Sequence, residues 1–510
     1  VSPALRLDVE DPSSRDSLRG DTFVWLAWSA VALVAVAYHE PWRDELQAWS
    51  IARESTWPWE VVERTAYEGH PPLWHLLLWA PAQISRSPAT AQLCAVACAG
   101  AAVWLIVRWL PFTLPVRALV VFGYLPLYEM ATIARSYSLL FLLAVAALVV
   151  ETRRPEWIWV TTLAIGAMML TFVLAIPLAV GLAAAAAWRH RDEPRRRLLL
   201  PAGALLAAAL LSVRLARPPD GGGRRIAPSV GEADEARDVL AGPLRIVVPV
   251  FDHVGSFWGS FVTDHLDRWG AWLGVAVLLL VAHLVRRSIA GLLVWSVGSV
   301  GYLGATLALS LPMEPRHLTA LWLTLLAAVW LAGADAVEER LADRSPARGA
   351  GSASLARVMG AGVLLVGVYG AVWPVVTDLR HPFSGSDAAA EWITGNGLPT
   401  TAVYCATTVD TCSAVAIRLD VPAYSRADAD PFTYVVWRRG WKRTIPLDET
   451  PADAARLARR LGGPVTVVAL YPYLPAGCAT GWVSPPAIVE SERVAVCSSD
   501  DLMPTGGDRP

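Results

Sequence analysis

Long apolar runs broken by short polar stretches fill the first three quarters of the chain, and a shorter alternation takes over in the last quarter. A bilayer-crossing helix needs about 17–25 mostly apolar residues. On that measure the pattern predicts eleven crossings, near 22–38, 89–107, 118–134, 138–150, 156–171, 172–188, 198–213, 271–285, 289–310, 317–333 and 355–377. "HPPLWHLLLWAPAQI", 70–84, is apolar but short and carries His70 and His75, so it reads as a helix lying in the interface. The stretch 243–262 is apolar too, but Arg245, Asp252 and His253 make a full crossing costly, about 2.5–3.5 kcal/mol per central charge. Beyond 378 the period changes. "SDAAAEWITGNG" reads as a helix closed by glycine, and "TPADAARLARRLGG" as a helix with a Thr cap and a Gly stop. "TAVYCATT" and "PVTVVALYP" read as strands, the second buried.

Composition strengthens this picture. Of 510 residues 55% are hydrophobic and 17% charged, against about 25% charged in a soluble domain. The expected fold is a polytopic α-helical membrane protein with a C-terminal α/β domain. A net charge of −2, a single lysine (Lys442) and the lack of a basic tract or nucleotide loop offer nothing to nucleic acid. Ala35-Val36-Ala37 has the form of a signal cleavage site, yet the long polar lead-in favours an uncleaved anchor.

Arginine sets the orientation. With residues 1–21 cytoplasmic, Arg108 and Arg117, Arg153 and Arg154, Arg189 to Arg197, Arg286 and Arg287, and Arg340 to Arg348 all fall inside. The transmembrane domain is then 22–377 in the plasma membrane, and the loops 39–88 and 214–270 and the domain 378–510 are extracytoplasmic. Arg214, Arg217, Arg224 and Arg225 fit this less well. Cys405, Cys412, Cys478 and Cys497 are confined to the tail, as suits an oxidising compartment, and their spacings suggest Cys405–Cys412 and Cys478–Cys497. Zinc is the competing reading, without a C-x-x-C pair to support it.

The polar residues on the outer side then form a short set. The first loop supplies Arg43, Asp44, Glu45, Glu68 and His70; the next outer junction supplies Glu129, Arg135 and Tyr137. A later turn supplies Glu314, Arg316 and His317, and the second loop Asp252, His253, Asp264 and His265. A helix beginning near Pro41 puts Trp42, Leu46 and Trp49 on one face and Asp44 about 200° from Trp42. Such a helix can float on the membrane with its aromatic stripe down, and the outer tryptophans Trp42, Trp49, Trp57, Trp59 and Trp74 read as an interfacial belt. Asp44 and Glu45 equally suit a first helical turn by complementing its dipole. Arg135 and Arg316 either snorkel to headgroups or face inward to hold a phosphate, for which the guanidinium fork is suited. Asp44, Glu45, Glu68 and His70 could also bind a divalent cation such as Mg or Mn, although the spacing matches no compact metal motif.

These elements, in this order and on one side, resemble the GT-C membrane glycosyltransferases. The branch most like them includes protein O-mannosyltransferases, aminoarabinose transferases and Rgt-type lipopolysaccharide glycosyltransferases. The resemblance covers about 22–335 and is carried by Arg43-Asp44-Glu45, His70-Pro71-Pro72-Leu73, Ala134-Arg135-Ser136-Tyr137-Ser138-Leu139-Leu140 and Pro315-Arg316-His317. It implies a polyprenyl-phosphate-linked sugar donor and an envelope lipid, glycan or protein acceptor. By that likeness Asp44 is the general base and Glu45 orients the acceptor or neighbouring groups. Arg135 and Arg316 hold the departing phosphate, and Tyr137, His70 and His317 donate hydrogen bonds. Arg43 and Glu68 fall among the acceptor- or sugar-binding residues. Direct displacement would invert the anomeric centre. His317 stands where relatives commonly carry tyrosine, and no further acid stands soon after Arg135 as it does in mannosyl and aminoarabinosyl transferases, so the donor sugar is left open. The alternative is a transporter or flippase of a lipid-linked glycan; against it, the ionisable residues gather at one face and no repeat is evident.

Overall fold

Among the described residues eight helices are long and apolar enough to cross a membrane, with spans Leu18–Tyr38, Ala89–Trp109, Ser136–Arg153, Arg195–Ala216, Arg268–Val285, Ile289–Ala308, Pro315–Glu339 and Gly360–Asp378. Two shorter apolar helices, Ile158–Thr171 and Val173–Arg189, lie among them. The chain is thus a multi-pass membrane protein. This computed structural model describes residues 15–219, 232–252, 260–311, 313–342, 353–438, 441, 444–478 and 481–502; His253 lies outside that set.

In chain order, α1 (Arg15–Tyr38) leads into the short helices α2 (Arg43–Glu54), α3 (Pro58–Arg64) and α4 (Leu73–Ile84). Then come α5 (Ala89–Trp109), α6 (Leu114–Val121), α7 (Ser136–Arg153), α8 (Ile158–Thr171), α9 (Ile176–Arg189) and α10 (Arg195–Ala216). The bundle is completed by α11 (Glu232–Arg245), α12 (Arg268–Val285), α13 (Ile289–Ala308), α14 (Leu318–Ala342) and α15 (Ala353–Asp378). Close approach of α11 to α12 requires Gly274, where a Cβ would meet Leu240 O at 1.9 Å.

The third predicted crossing, 118–134, is not one helix. It breaks into α6 and a single π turn, Leu125–Glu129, before the chain enters α7. Pro126 removes a donor and Gly123 relaxes the backbone just where the break falls. In the described part of 243–262, α11 ends at Arg245 and Phe251 pairs with Phe261 as an antiparallel bridge. Arg245 is buried against Asp238 at 2.6 Å and Asp264 at 2.9 Å, so its charge is neutralised locally.

The C-terminal region is a mixed five-stranded sheet with helices α16 (Ser386–Gly395), α17 (Val409–Leu419) and α18 (Thr450–Leu461). Its strands are β1 (Val403–Cys405), β2 (Ala423–Tyr424), β3 (Thr466–Leu470), β4 (Trp482–Val483) and β5 (Val494–Ser498), in spatial order β2-β1-β3-β5-β4. β1 runs parallel to β2 and β3, and β5 antiparallel to β3 and β4, in the register Val403↔Thr466 and Val467↔Cys497. Disulfides join Cys405 to Cys412 and Cys478 to Cys497, as the spacing suggested. Helix α18 ends at Gly462 in the left-handed conformation, φ 75°, which glycine adopts without a Cβ penalty. Its N-cap is Glu449 rather than Thr450, which is the first helical residue, with Pro451 behind it.

One expectation is overturned at the junction of the two regions. The Leu46–Trp49 face of α2 does not rest on lipid. Leu46 packs on Ala414 and Ile417 of α17, and Trp49 joins Trp74 and Leu78 of α4. Trp42, Trp49 and Trp74 are buried; of the five tryptophans assigned to a belt only Trp57 and Trp59 are exposed, stacked on each other at 5.2 Å. The α/β region takes the place of the membrane surface as the partner of α2, so the first loop is clamped between bundle and sheet.

Candidate active site

Helix α2 begins at a capping box in which Glu45 reaches back to Trp42 N–H at 3.1 Å. That fold-back turns Glu45 inward and leaves Asp44, one residue earlier, on the side facing the N-terminus of α7. There Arg135, the N-cap residue of α7, donates from Nη1 to Asp44 Oδ2. Arg316, in the turn before α14, lies 3.9 Å from the same oxygen and pairs with Glu314 at 2.5 Å. Arg43 Nε is 3.9 Å from Asp44 Oδ1. The ring of Trp42 sits among all three guanidiniums, with the Cζ atoms of Arg43, Arg135 and Arg316 at 5.6, 6.0 and 5.5 Å from its centroid. A buried indole so placed stabilises clustered positive charge through its quadrupole.

Asp44 and Arg135 open onto a small cavity of about 30 Å³ that Glu68, His70, Trp74 and His75 also line. That is room for a water or a hydroxyl group. Gln47 Nε2 donates to Glu68 Oε1 at 2.8 Å. His70 Nδ1 is buried and has no hydrogen-bond partner among the described residues. The cavity therefore presents a carboxylate, a guanidinium, a carboxyl and two imidazoles to something roughly the size of one hydroxyl.

Electrostatics divide these groups. Burial pushes the Asp44 carboxyl up, but Arg135, then Arg316 and Arg43, outweigh it and hold it below the ordinary carboxylate range. The Arg135 guanidinium is in turn held above its ordinary value, since Asp44 outweighs the effect of burial. Glu68 is pushed up to about 8 by burial, only partly offset by Gln47. His70 is pushed down to about 4 by burial and by Arg135. At neutral pH the cavity thus holds a charged Asp44–Arg135 pair flanked by an uncharged imidazole and a largely protonated Glu68.

The other expected residues are placed differently. Glu45 is buried away from the cavity wall: Oε2 contacts His39 Nε2 at 3.0 Å and Oε1 accepts Ala134 N–H at 2.5 Å. Arg43 turns to the α/β region, 3.2 Å from Asp410 and 3.6 Å from Glu492, and its N–H donates to Glu492 Oε1 at 3.1 Å. Tyr137 packs edge-on to Phe172 at 5.2 Å with the Arg135 guanidinium 5.8 Å from its ring. His317 follows Arg316, and its backbone carbonyl accepts from Tyr302 OH. In the second loop, Asp264 accepts from Arg245 and His265 meets Asp252 at 2.9 Å, apart from this cluster. Among the described residues no group of three or more His, Cys, Asp or Glu side chains is arranged to hold a metal ion.

Four contributors escape the sequence pattern. Gln47 locks the backbone of Val435, donating to its carbonyl at 2.6 Å and accepting its N–H at 2.9 Å. Trp42 is the centre of the arginine cluster rather than an interfacial anchor. His39 and Asp378 form a buried pair behind Glu45, at 2.8 Å. Gln47 had a signal, lying three residues from Asp44 on the same helix; Asp378, far along the chain, had none.

The helical bundle with its docked α/β region is a fold similar to that of ArnT. Two solved structures carry the likeness. ArnT from Cupriavidus metallidurans bound to undecaprenyl phosphate matches at a TM-score of 0.50 and 13% identity, over 96% of this chain and 99% of ArnT. The same protein in the apo state gives 0.51 and 14%, over 94% and 98%. The archaeal oligosaccharyltransferase AglB from Archaeoglobus fulgidus matches at 0.41 and 14%, over 89% of this chain and 70% of AglB. No protein-family model matches the chain, and no curated protein sequence does.

Proposed function

We propose that the protein is a cell-envelope glycosyltransferase that moves a sugar from a polyprenyl-phosphate carrier to a lipid, glycan or protein acceptor outside the cytoplasm. The observation that carries this is the Asp44–Arg135 pair at the mouth of a hydroxyl-sized cavity, with Arg316 alongside. The GT-C fold supports it, and ArnT, which shares that fold, has been seen with undecaprenyl phosphate.

The chemistry follows from charge. The acceptor hydroxyl gives its proton to Asp44 as its oxygen bonds to the anomeric carbon. The bond from that carbon to the phosphate oxygen breaks, the electron pair leaving with the polyprenyl phosphate. Negative charge grows on the phosphate, where Arg135 and Arg316 supply fixed positive charge. Attack opposite the leaving group inverts the sugar. In the free protein Arg135 depresses the basicity of Asp44. An arriving phosphate takes that guanidinium for itself, so the base strengthens only when donor is bound. Neutral His70 and protonated Glu68 supply hydrogen bonds to sugar or acceptor without adding net charge.

The outward orientation rests on the arginine distribution and on the two disulfides, which suit an oxidising compartment. Membrane vesicles containing wild type or Asp44→Asn at matched levels test the reading, with a panel of labelled polyprenyl-phosphate sugars. Label should leave the donor lipid with wild type and stay with the variant. Transfer that survives Asp44→Asn would remove the base from this carboxylate. No transfer from any donor, with acceptors intact, would favour a transporter.

A further inference from the structure

His39 stands where α1 ends, and both of its ring nitrogens meet carboxylates. Nδ1 lies 2.8 Å from Asp378 Oδ2 and Nε2 lies 3.0 Å from Glu45 Oε2, with all three side chains buried. A neutral imidazole has one N–H and can donate to one partner only; serving two carboxylates takes both N–H groups. Other groups close the network. Tyr128 OH donates to Asp378 Oδ2 at 2.9 Å, Gln92 Nε2 donates to His39 O at 3.0 Å, and the Phe383 ring lies 4.5 Å from the imidazole. Glu40, next in the chain, accepts Ser384 N–H at 3.1 Å.

The far end of this network matters more than its centre. Glu45 Oε1 accepts the N–H of Ala134, the residue before Arg135, and Oε2 accepts the N–H of Trp42. Asp44 is the residue before Glu45. One buried carboxylate therefore ties down the backbone beside each member of the Asp44–Arg135 pair, and His39 and Asp378 hold that carboxylate from behind. We propose that His39 is a positioning residue: bridging Asp378 and Glu45, it fixes Glu45 and, through it, the placement of Asp44 against Arg135. Burial alone would lower the basicity of His39, but Asp378 and then Glu45 outweigh it and hold the imidazole at about 10. At neutral pH the bridge is therefore charged. Asp378 is also the last residue of α15, so the bridge joins the end of the bundle to the first loop.

This inference rests on the assignment of Asp44 and Arg135 as the working pair, and the test separates the two. Full-length protein in vesicles carries His39→Gln, which keeps one donor and loses the charge. Activity is normalised to folded protein and read against pH and donor concentration. The expected result is a 10- to 100-fold fall in kcat with donor KM within about threefold of wild type. The acid limb should move to higher pH as Asp44 escapes Arg135. Adding Asp378→Asn should restore part of the loss, since it removes the carboxylate left without a cation. The Ala134 amide should lose hydrogen-exchange protection in His39→Gln. Asp378→Asn alone keeps the Glu45 contact and should show a smaller change of the same sign, so it serves if His39→Gln fails to fold. A wild-type kcat and acid limb in His39→Gln, with Asp44→Asn inactive, would overturn the inference. Transfer retained in Asp44→Asn would instead overturn the functional reading beneath it.

Discussion

Arg135 donates directly to Asp44, and the two charges share one cavity wall. On the function proposed here, a base locked to a cation is weak until something competes for the cation, so the pair would act as a gate that donor phosphate opens. Arg135→Gln tests this from the protein side. Losing one preorganised donor to developing charge costs about 10²–10³ in rate, so kcat/KM should fall by that order, with donor KM raised. Arg135 is also the leading charge depressing Asp44. Its removal raises the Asp44 pKa, and the acid limb of the pH–rate profile, set by the deprotonated base, should move to higher pH. A limb that stays put would mean that another group sets it.

Glu68 makes the opposite prediction. Burial holds its carboxyl at about 8, so below that pH it is protonated and has an O–H to offer a bound hydroxyl. Glu68→Gln mimics the protonated form, and its transfer rate at pH 6–7 should lie within about threefold of wild type. Above pH 8 wild type gains a charge that the variant cannot, and the two profiles should separate. Folding is linked in the same sense. A carboxyl raised from its unfolded value of about 4.5 to about 8 weakens the fold as pH climbs between those values. Glu68→Gln should therefore flatten the fall in Tm across that window.

Gln47 joins the cavity to the α/β region. Its amide serves Glu68 and both backbone groups of Val435, and Gln47 and Val435 are buried. Gln47→Leu leaves the Val435 N–H and C=O without partners, at roughly 1–3 kcal/mol for each buried group. Tm should drop accordingly, and limited proteolysis should cut first near 431–438, the segment whose anchor has gone. Transfer should fall more than the loss of folded protein accounts for, because Glu68 loses its donor as well.

What was legible in the sequence divides along the range of the interactions. Most spans, the α/β tail and both cysteine pairings follow from local pattern and spacing. Asp44, Arg135 and Arg316 stood out because charge at the edge of an apolar run is costly without a purpose. The break in the third crossing was written in Gly123 and Pro126 but masked by the hydrophobicity around them. The burial of Leu46 and Trp49 was invisible, because period 3.6 gives a helix an apolar face without saying whether lipid, α4 or α17 covers it. The family likeness implies that Glu45 orients the acceptor, yet the capping box turns it inward, where His39 is in turn bound to a residue 339 positions away. No local rule reaches that far.

Orientation is open to direct measurement. Asp428, exposed on the α/β region, and Arg191, exposed after α9, fall on opposite sides of the bilayer if the arginine reading holds. Among the described residues Cys94 and Cys98 are the free thiols, and they lie in a spanning helix. With both replaced by alanine, Asp428→Cys should react with a membrane-impermeant maleimide in intact cells, while Arg191→Cys should react only after permeabilisation. Mass spectrometry of the unreduced parent should find the other four thiols blocked as pairs. The reverse labelling pattern would put Asp44, its cavity and the disulfides on the cytoplasmic side. Since a sugar carried on an outward-facing polyprenyl phosphate could not then reach Asp44, that outcome would remove the proposed reaction as well as the proposed topology.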